Sequence, residues 1–208
     1  MASQGYSAIV LAGGRSSRMG ADKAAMRLGG LTMLERVVAE LRRGFDEVIV
    51  VAGAPAAEAA SALSAGSARL LWDSAAFEGP VKALRLGLAA TGAEVAFACA
   101  CDLPFISAAL AAELCTMAAG YNAAIPMVGG RLQVLHAAYQ KSCLPALDAM
   151  IAQDQPRLQD LAPRLRARIV SEAEIRHYDP QLLSFFNVNT PAEYARAIEL
   201  ATRRSPGV

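Results

Sequence analysis

The stretch LAGGRSSRMGADK, Leu11 to Lys23, packs three glycines, two arginines, two serines and a lysine into thirteen residues, directly after the apolar run Ser7–Val10. Residues of these types at this spacing suit a polyphosphate. Gly13 and Gly14 leave no Cβ between a phosphate and the backbone N–H groups. Arg15, Arg18 and Lys23 supply neutralising charge. The pattern is neither a Walker A sequence, since Gly20 is followed by Ala21 and Asp22, nor a GxGxxG turn. A surface turn with solvated charges is the alternative. Three cations gathered at the end of a buried strand favour phosphate binding over it.

Two further carboxylates stand at the ends of apolar runs. In ACACDLPF, Asp102 follows the run and Pro104 turns the chain. One carboxylate at such a point suits Mg²⁺, which keeps several waters and is usually held by one or two carboxylates plus substrate phosphates. Asp102 could instead cap the next helix, but Ser107 is the better N-cap for it. In WDSAAFEGPVKAL, Asp73 could accept from a ribose hydroxyl or the donor edge of guanine, or simply form a turn ahead of Gly79 and Pro80. In NVNTP, Asn187 and Asn189 fall on one face of an expected strand. They could reach a phosphate, a metal-bound water or a second substrate, or form Asx-type turns before a helix cap at Thr190. His136 lies among apolar residues and reads as a packed, hydrogen-bonded core histidine, and Trp72 reads as core.

Positioning these residues requires alternating strands and helices. Ala8–Ala12 is a continuous apolar run, as in a parallel strand buried on both faces. TMLERVVAELRRG reads as a helix with a Thr32/Glu35 capping box, an apolar face of Leu34, Val37, Val38 and Leu41, and Gly44 as its stop. EVIVVA, RLLW and EVAFACA read as strands. AAEAASALSAG and GPVKALRLGLAATG read as helices, the second with Pro80 in its first turn. This alternation implies right-handed crossovers and a Rossmann-like α/β three-layer sandwich with a mostly parallel sheet. NAAIPMVGGRLQVLHAAY reads as two strands around Gly129 and Gly130, an antiparallel excursion in the second half. Lys141 to Arg166 is helical in pattern. FFNVNTPAEYARAIELATRR closes the chain as strand, turn and helix. In open α/β sheets ligands bind outside the carboxyl ends of the strands, which selects the segments after Ala12, Trp72 and Ala100.

The chain's 208 residues suit one domain spanning 1–208, and its 54% hydrophobic residues supply a sizeable core. Twenty basic residues against nineteen acidic ones give a net charge of +1, far from the basic balance of a general nucleic-acid binder. No apolar run approaches the roughly 18 to 20 residues of a membrane span, and the first residues lack the basic region of a signal peptide, so the expectation is a cytoplasmic protein. The four cysteines, Cys99, Cys101, Cys115 and Cys143, show no CxxC spacing and read as buried thiols, with Cys99 and Cys101 sharing one face.

Taken together, LAGGRSSRMGADK, DSAAFEGPVKAL, CDLPF, LQVLHAAY and FFNVNTPAEY resemble, in order and spacing, the motifs of the molybdenum-cofactor guanylyltransferase family of nucleotidyltransferases, from about Ala8 to about Leu200. The resemblance implies transfer of GMP from GTP to the terminal phosphate of molybdenum-bound or metal-free molybdopterin, with release of pyrophosphate and Mg²⁺ as cofactor. Leu11, Ala12 and Gly13 would line the guanine nucleotide, and Gly14 and Gly79 belong to the same nucleotide-binding set. Lys23 would contact the phosphates, Arg18 would help hold the triphosphate, Asp73 would meet the nucleoside, and Asp102 would hold the Mg²⁺. Asn187 and Asn189 would lie near the pterin phosphate. Transient contacts with apo-molybdoenzymes or other cofactor-assembly proteins fit the same reading. The sequence departs from the family at Val51, where some relatives carry Asn, and at Lys82 and Ala83, where GPLAG is usual. Competing readings are a cytidylyltransferase for molybdopterin or another phosphorylated acceptor, and a non-catalytic nucleotide or cofactor carrier. The first tends to read AAG in the opening loop. The presence of both Lys23 and Asp102 speaks against the second.

Overall fold

The computed structural model describes residues 5–13, 23–53, 56, 60, 61, 63, 66–72, 79–153 and 156–204. The first strand, β1 (Ser7–Ala12), is buried along its whole length. A 3-10 turn (Lys23–Ala25) and a small hairpin of β2 (Arg27–Leu28) and β3 (Leu31–Thr32) lead into α1 (Met33–Leu41). Then come β4 (Glu47–Ala52), β5 (Arg69–Trp72), α2 (Pro80–Ala90), β6 (Val95–Ala100) and α3 (Ala108–Met117). The second half adds β7 (Ala123–Val128), β8 (Arg131–Leu132), β9 (His136–Gln140), α4 (Leu144–Ile151), β10 (Ala167–Val170), α5 (Glu172–Ile175) and α6 (Pro191–Arg204). Most of the expected AAEAASALSAG helix lies outside the described residues.

One sheet runs in the order β10-β7-β9-β6-β1-β4-β5, with β8 paired to β7. The β5-β4-β1-β6 stretch is parallel throughout, as is β7 with β10. The antiparallel excursion is β9, which runs against both β6 and β7, and β8, which closes a hairpin on β7. Gly129 and Gly130 both adopt positive φ at that hairpin, 56° and 72°, as a tight two-residue turn demands.

Apolar cores line both faces. On one, Val10, Val50 and Phe97 pack under Leu34, Val37 and Leu41 of α1 and Leu110 and Leu114 of α3. On the other, Ile9, Ile49 and Ala98 pack under Leu84 and Leu88 of α2 and Leu147 and Met150 of α4. The helix starts follow local chemistry. Thr32 and Glu35 form the full reciprocal capping box, Ser107 caps α3 through Leu110 N–H at 3.3 Å, and Pro80 occupies the first turn of α2. All four cysteines are buried free thiols, and Cys99 and Cys101 do share one face.

One element differs from expectation. FFNVN is not a strand: Phe185 ends a 3-10 turn (Leu183–Phe185), and 186–189 runs irregularly into α6. The neighbouring strand β6 is already paired on both sides, by β1 and β9, so no ladder was open to this segment. Its alternating pattern serves another purpose, with Val188 entering a satellite core with Met33, Phe105 and Ala197.

Candidate active site

The sheet delivers its strand ends to one edge. Hydrogen bonds extend the ladder past β1 on both sides: Gly53 N–H donates to Ala12 O at 3.0 Å, and Cys101 N–H donates to Leu11 O at 3.2 Å. Leu11, Ala12 and Gly13 therefore lie between Ala52-Gly53 on one flank and the Ala100–Asp102 segment on the other. Asp102 is partly exposed, with its Oδ1 shielded from solvent. Its carbonyl accepts from Val188 N–H at 3.0 Å, which brings the Asn187–Asn189 segment to the same edge. Leu11, Ala12, Gly13, Asp102 and Asn187 are thus neighbours through the backbone.

The remaining sequence candidates are distributed as follows. Gly79 is the N-cap of α2 at φ 90°, a conformation that favours glycine, and no side chain caps that helix end. Lys23 opens the 3-10 turn whose Ala24 is buried in the α1-side core, but the Lys23 side chain is outside the described part of the chain. Gly14, Arg15, Arg18 and Asp73 also lie outside the described residues. Asn187 Nδ2 donates to Phe185 O at 3.3 Å. The backbone N–H groups of Asn189 and Thr190 both donate to Glu193 Oε2, at 2.7 and 2.9 Å. Since Thr190 Oγ1 in turn accepts from Glu193 N–H at 3.2 Å, α6 starts on a capping box and not on an Asx turn.

Two expectations about core residues need correction. Trp72 is 49% exposed. It ends β5, the edge strand of the sheet, so neighbours can cover it from one side only. His136 is buried as expected, at 1% exposure, but neither ring nitrogen has a hydrogen-bond partner. Its surroundings are aromatic: Phe97 meets the ring edge-on at 5.1 Å and Phe185 lies tilted over it at 4.2 Å. Burial drives its pKa down to about 3, and the nearby Ser184 backbone opposes this only in part, without a bond of good geometry. The imidazole is neutral at physiological pH. Its ring packs against Phe97 and Phe185, and no proton-transfer role is assigned to it.

The donor set around Asp102 fits a hard cation. A carboxylate at the strand end is the kind of partial site that Mg²⁺ completes with water and substrate phosphate oxygens. Among the described residues no group of three His, Cys, Asp or Glu side chains could hold a metal by itself. A separate groove of about 600 Å³ lies between α1 and residues 178–184, lined in part by Arg36, Arg43, Phe105, Tyr178 and Ser184. Its lining does not include Leu11, Gly13, Asp102 or Asn187. Backbone contacts that sequence reasoning missed, such as Gly53 and Val188, carry no side-chain signal of their own.

Comparison with known proteins agrees with this fold. A 199-residue match to a probable molybdenum cofactor guanylyltransferase of Pelotomaculum thermopropionicum is 34% identical and covers 96% of this chain and 95% of the relative. The corresponding protein of Methanosarcina mazei is 36% identical over 88% of this chain and 86% of its own length. Among solved structures, molybdopterin-guanine dinucleotide biosynthesis protein A from Archaeoglobus fulgidus superposes with a TM-score of 0.82 at 26% identity, covering 95% of this chain and 99% of that one. Residues 8–169 match the profile of the MobA-like NTP transferase domain, and the chain belongs to that family of nucleotidyltransferases.

Proposed function

We propose that this enzyme transfers GMP from GTP to the terminal phosphate of molybdopterin and releases pyrophosphate. The observation that carries the reading is the backbone junction at the carboxyl edge, where Leu11–Gly13, Asp102 and Asn187–Val188 converge. Its support is the set of guanylyltransferases to which nearly the whole chain is similar. The whole of 1–208 acts as one nucleotidyltransferase domain in the cytoplasm, delivering its product through transient contacts with apo-molybdoenzymes or other assembly proteins.

In the reaction, an anionic oxygen of the pterin phosphate attacks the α-phosphorus of GTP. The bond from that phosphorus to the α–β bridging oxygen breaks, and its electron pair leaves with pyrophosphate. No proton has to be removed from the nucleophile, so the enzyme needs no general base, in keeping with a neutral, sequestered His136. The protein's task is to bring two anions into line and spread the developing charge. Leu11, Ala12, Gly13 and Gly14 present backbone to the nucleotide, and Gly79 lets the start of α2 approach it. Arg18 and Lys23 neutralise the triphosphate, Asp73 holds the nucleoside, and Asn187 and Asn189 face the acceptor phosphate. Asp102 would hold Mg²⁺, which supplies charge neutralisation at the phosphates when bound. Incubation of the protein with Mg²⁺, molybdopterin and either GTP or CTP tests the reading. The expected products are pyrophosphate and the guanine dinucleotide form of the cofactor, from GTP alone. Turnover with CTP in preference to GTP would overturn it.

A further inference from the structure

The groove between α1 and residues 178–184 holds a charge without a counter-ion. Arg36 donates from Nε to Pro104 O at 3.2 Å and from Nη1 to Leu28 O at 3.3 Å. Two carbonyls thus fix its guanidinium in the groove wall, and among the described residues no carboxylate pairs with it. The carboxylates of the same wall are engaged. Glu40 Oε1 accepts from Ala108 N–H at 3.2 Å, its Oε2 lies 3.8 Å from Arg43 Nη1, and Asp179 Oδ2 accepts from Ser184 N–H at 2.7 Å. Two carboxylates in the wall repel a polyphosphate. Of the six large apolar side chains left exposed among the described residues, Leu31 and Tyr178 both line this groove. A protein surface laid over the groove covers such side chains.

The chain itself carries a matching surface. α6 buries Ala197 and Ala201 and leaves Ala195, Ile198, Glu199 and Thr202 exposed. Their spacing of three, four and seven puts them in one stripe, the pattern of a helix that lies in a groove. Ile198 is its apolar knob, and the small Ala195 and Thr202 on either side let the helix come close. Glu199 offers the carboxylate that Arg36 lacks. Its partner within the chain, Arg196 at 2.8 Å, forms only a surface ion pair, which is worth little. The groove and α6 flank the same β2-β3 hairpin: Leu31 lines the groove, and Tyr194 Oη of α6 donates to Arg27 O.

We propose that this face joins two copies of the chain about a two-fold axis, with α6 of each copy seated in the groove of the other. Ile198 enters between Leu31 and Tyr178 of the second copy, and Glu199 pairs with its Arg36. The pairing stands apart from the GMP-transfer reading, since none of these residues belongs to the strand-edge set. Sedimentation equilibrium of the full chain, at concentrations up to about 1 mM, should show single chains giving way to pairs and nothing larger. Leu31→Glu and Ile198→Glu each spoil both contacts of the pair. Each variant alone should therefore stay single over the range in which the parent pairs, while melting as cooperatively as the parent. Mixed in equal amounts, the two variants should pair again, more weakly than the parent. One contact of the mixed pair joins an intact groove to an intact helix, and the other carries both substitutions. A parent that stays single up to about 1 mM overturns the proposal. So does either variant pairing as the parent does, a mixture that fails to pair, or growth beyond two chains.

Discussion

At the scale of single residues, Asp102 lets the proposed chemical role be separated from a structural one. Its backbone carbonyl accepts from Val188 N–H, and the metal role is proposed for its carboxylate alone. Asp102→Asn keeps the shape and the backbone bond and removes only the charge. Turnover should fall on the order of a hundred- to a thousandfold, as when a single electrostatic contact to a transition state is removed. The melting temperature should stay close to that of the parent. Steady-state pyrophosphate release and a thermal melt check the two halves, and near-normal turnover would remove Asp102 from the machinery. This residue was legible because a polar side chain directly after an apolar run, with proline soon after, marks a strand end. Asn187 was legible as a candidate but not as to its setting. The alternation FFNVN mimics a strand, and only the pairing of β6 on both sides shows that no strand could form there. Trp72 misled for a related reason. A short run such as RLLW does not reveal which strand lies at the edge, and an edge position decides whether its last side chain is covered.

Elements were more legible than residues, because periodicity and caps are local properties. The Thr32/Glu35 box, the Ser107 cap and Pro80 in the first turn of α2 each form as their spacing predicts. What spacing could not show is how closely α2 approaches the sheet. Gly87 lies in the middle of that helix, where alanine would ordinarily be better by about 1 kcal/mol. Here a Cβ would meet Ile9 Cγ2 at 2.6 Å and Val51 Cγ2 at 3.2 Å. The close approach seats α2 on β1 and β4. Overpacking a filled core costs typically 1–3 kcal/mol, so Gly87→Ala should lower stability by about 1–2 kcal/mol after the gain in helix propensity. Urea unfolding measures this. Ile9→Ala removes the clashing methyl, so the double variant should be less destabilised than the sum of the two single ones. Strict additivity would mean that Gly87 has no steric role.

At the scale of the whole molecule, the two edges of the sheet are built from opposite materials. The carboxyl edge runs from buried alanines, Ala12 and Ala52, into the glycines Gly13 and Gly53. The amino edge is closed by a polar network in which Ser7 and Thr91 hydroxyls donate to Glu47 Oε2, at 2.6 and 2.8 Å, with Gly92 N–H at 3.2 Å. Burial alone would raise the Glu47 carboxyl. These hydrogen bonds, helped by the Arg69 charge, outweigh it and hold its pKa below the ordinary value. Glu35 and Glu174 are also lowered, the first chiefly by the Thr32 backbone N–H and the second chiefly by the Ser171 hydroxyl. A carboxylate with a depressed folded pKa contributes stability that is present above its unfolded pKa, about 4.3 for glutamate, and is lost as pH falls through the folded value. His136 acts earlier. Unfolded, it takes a proton near its ordinary 6.5; folded, it resists down to about 3. Between these values the unfolded state binds one more proton than the folded state, so stability falls with decreasing pH, at up to about 1.4 kcal/mol per pH unit. The protein should therefore lose stability in two stages, the first below about pH 6.5 from one histidine and the second in the carboxylate range. Urea unfolding at pH 7.5 and 5.5 isolates the first stage. His136→Leu should abolish most of the difference between those two pH values while leaving the acid transition of the carboxylates in place. A variant as pH-sensitive as the parent across that interval would show that the imidazole is not held neutral by the fold.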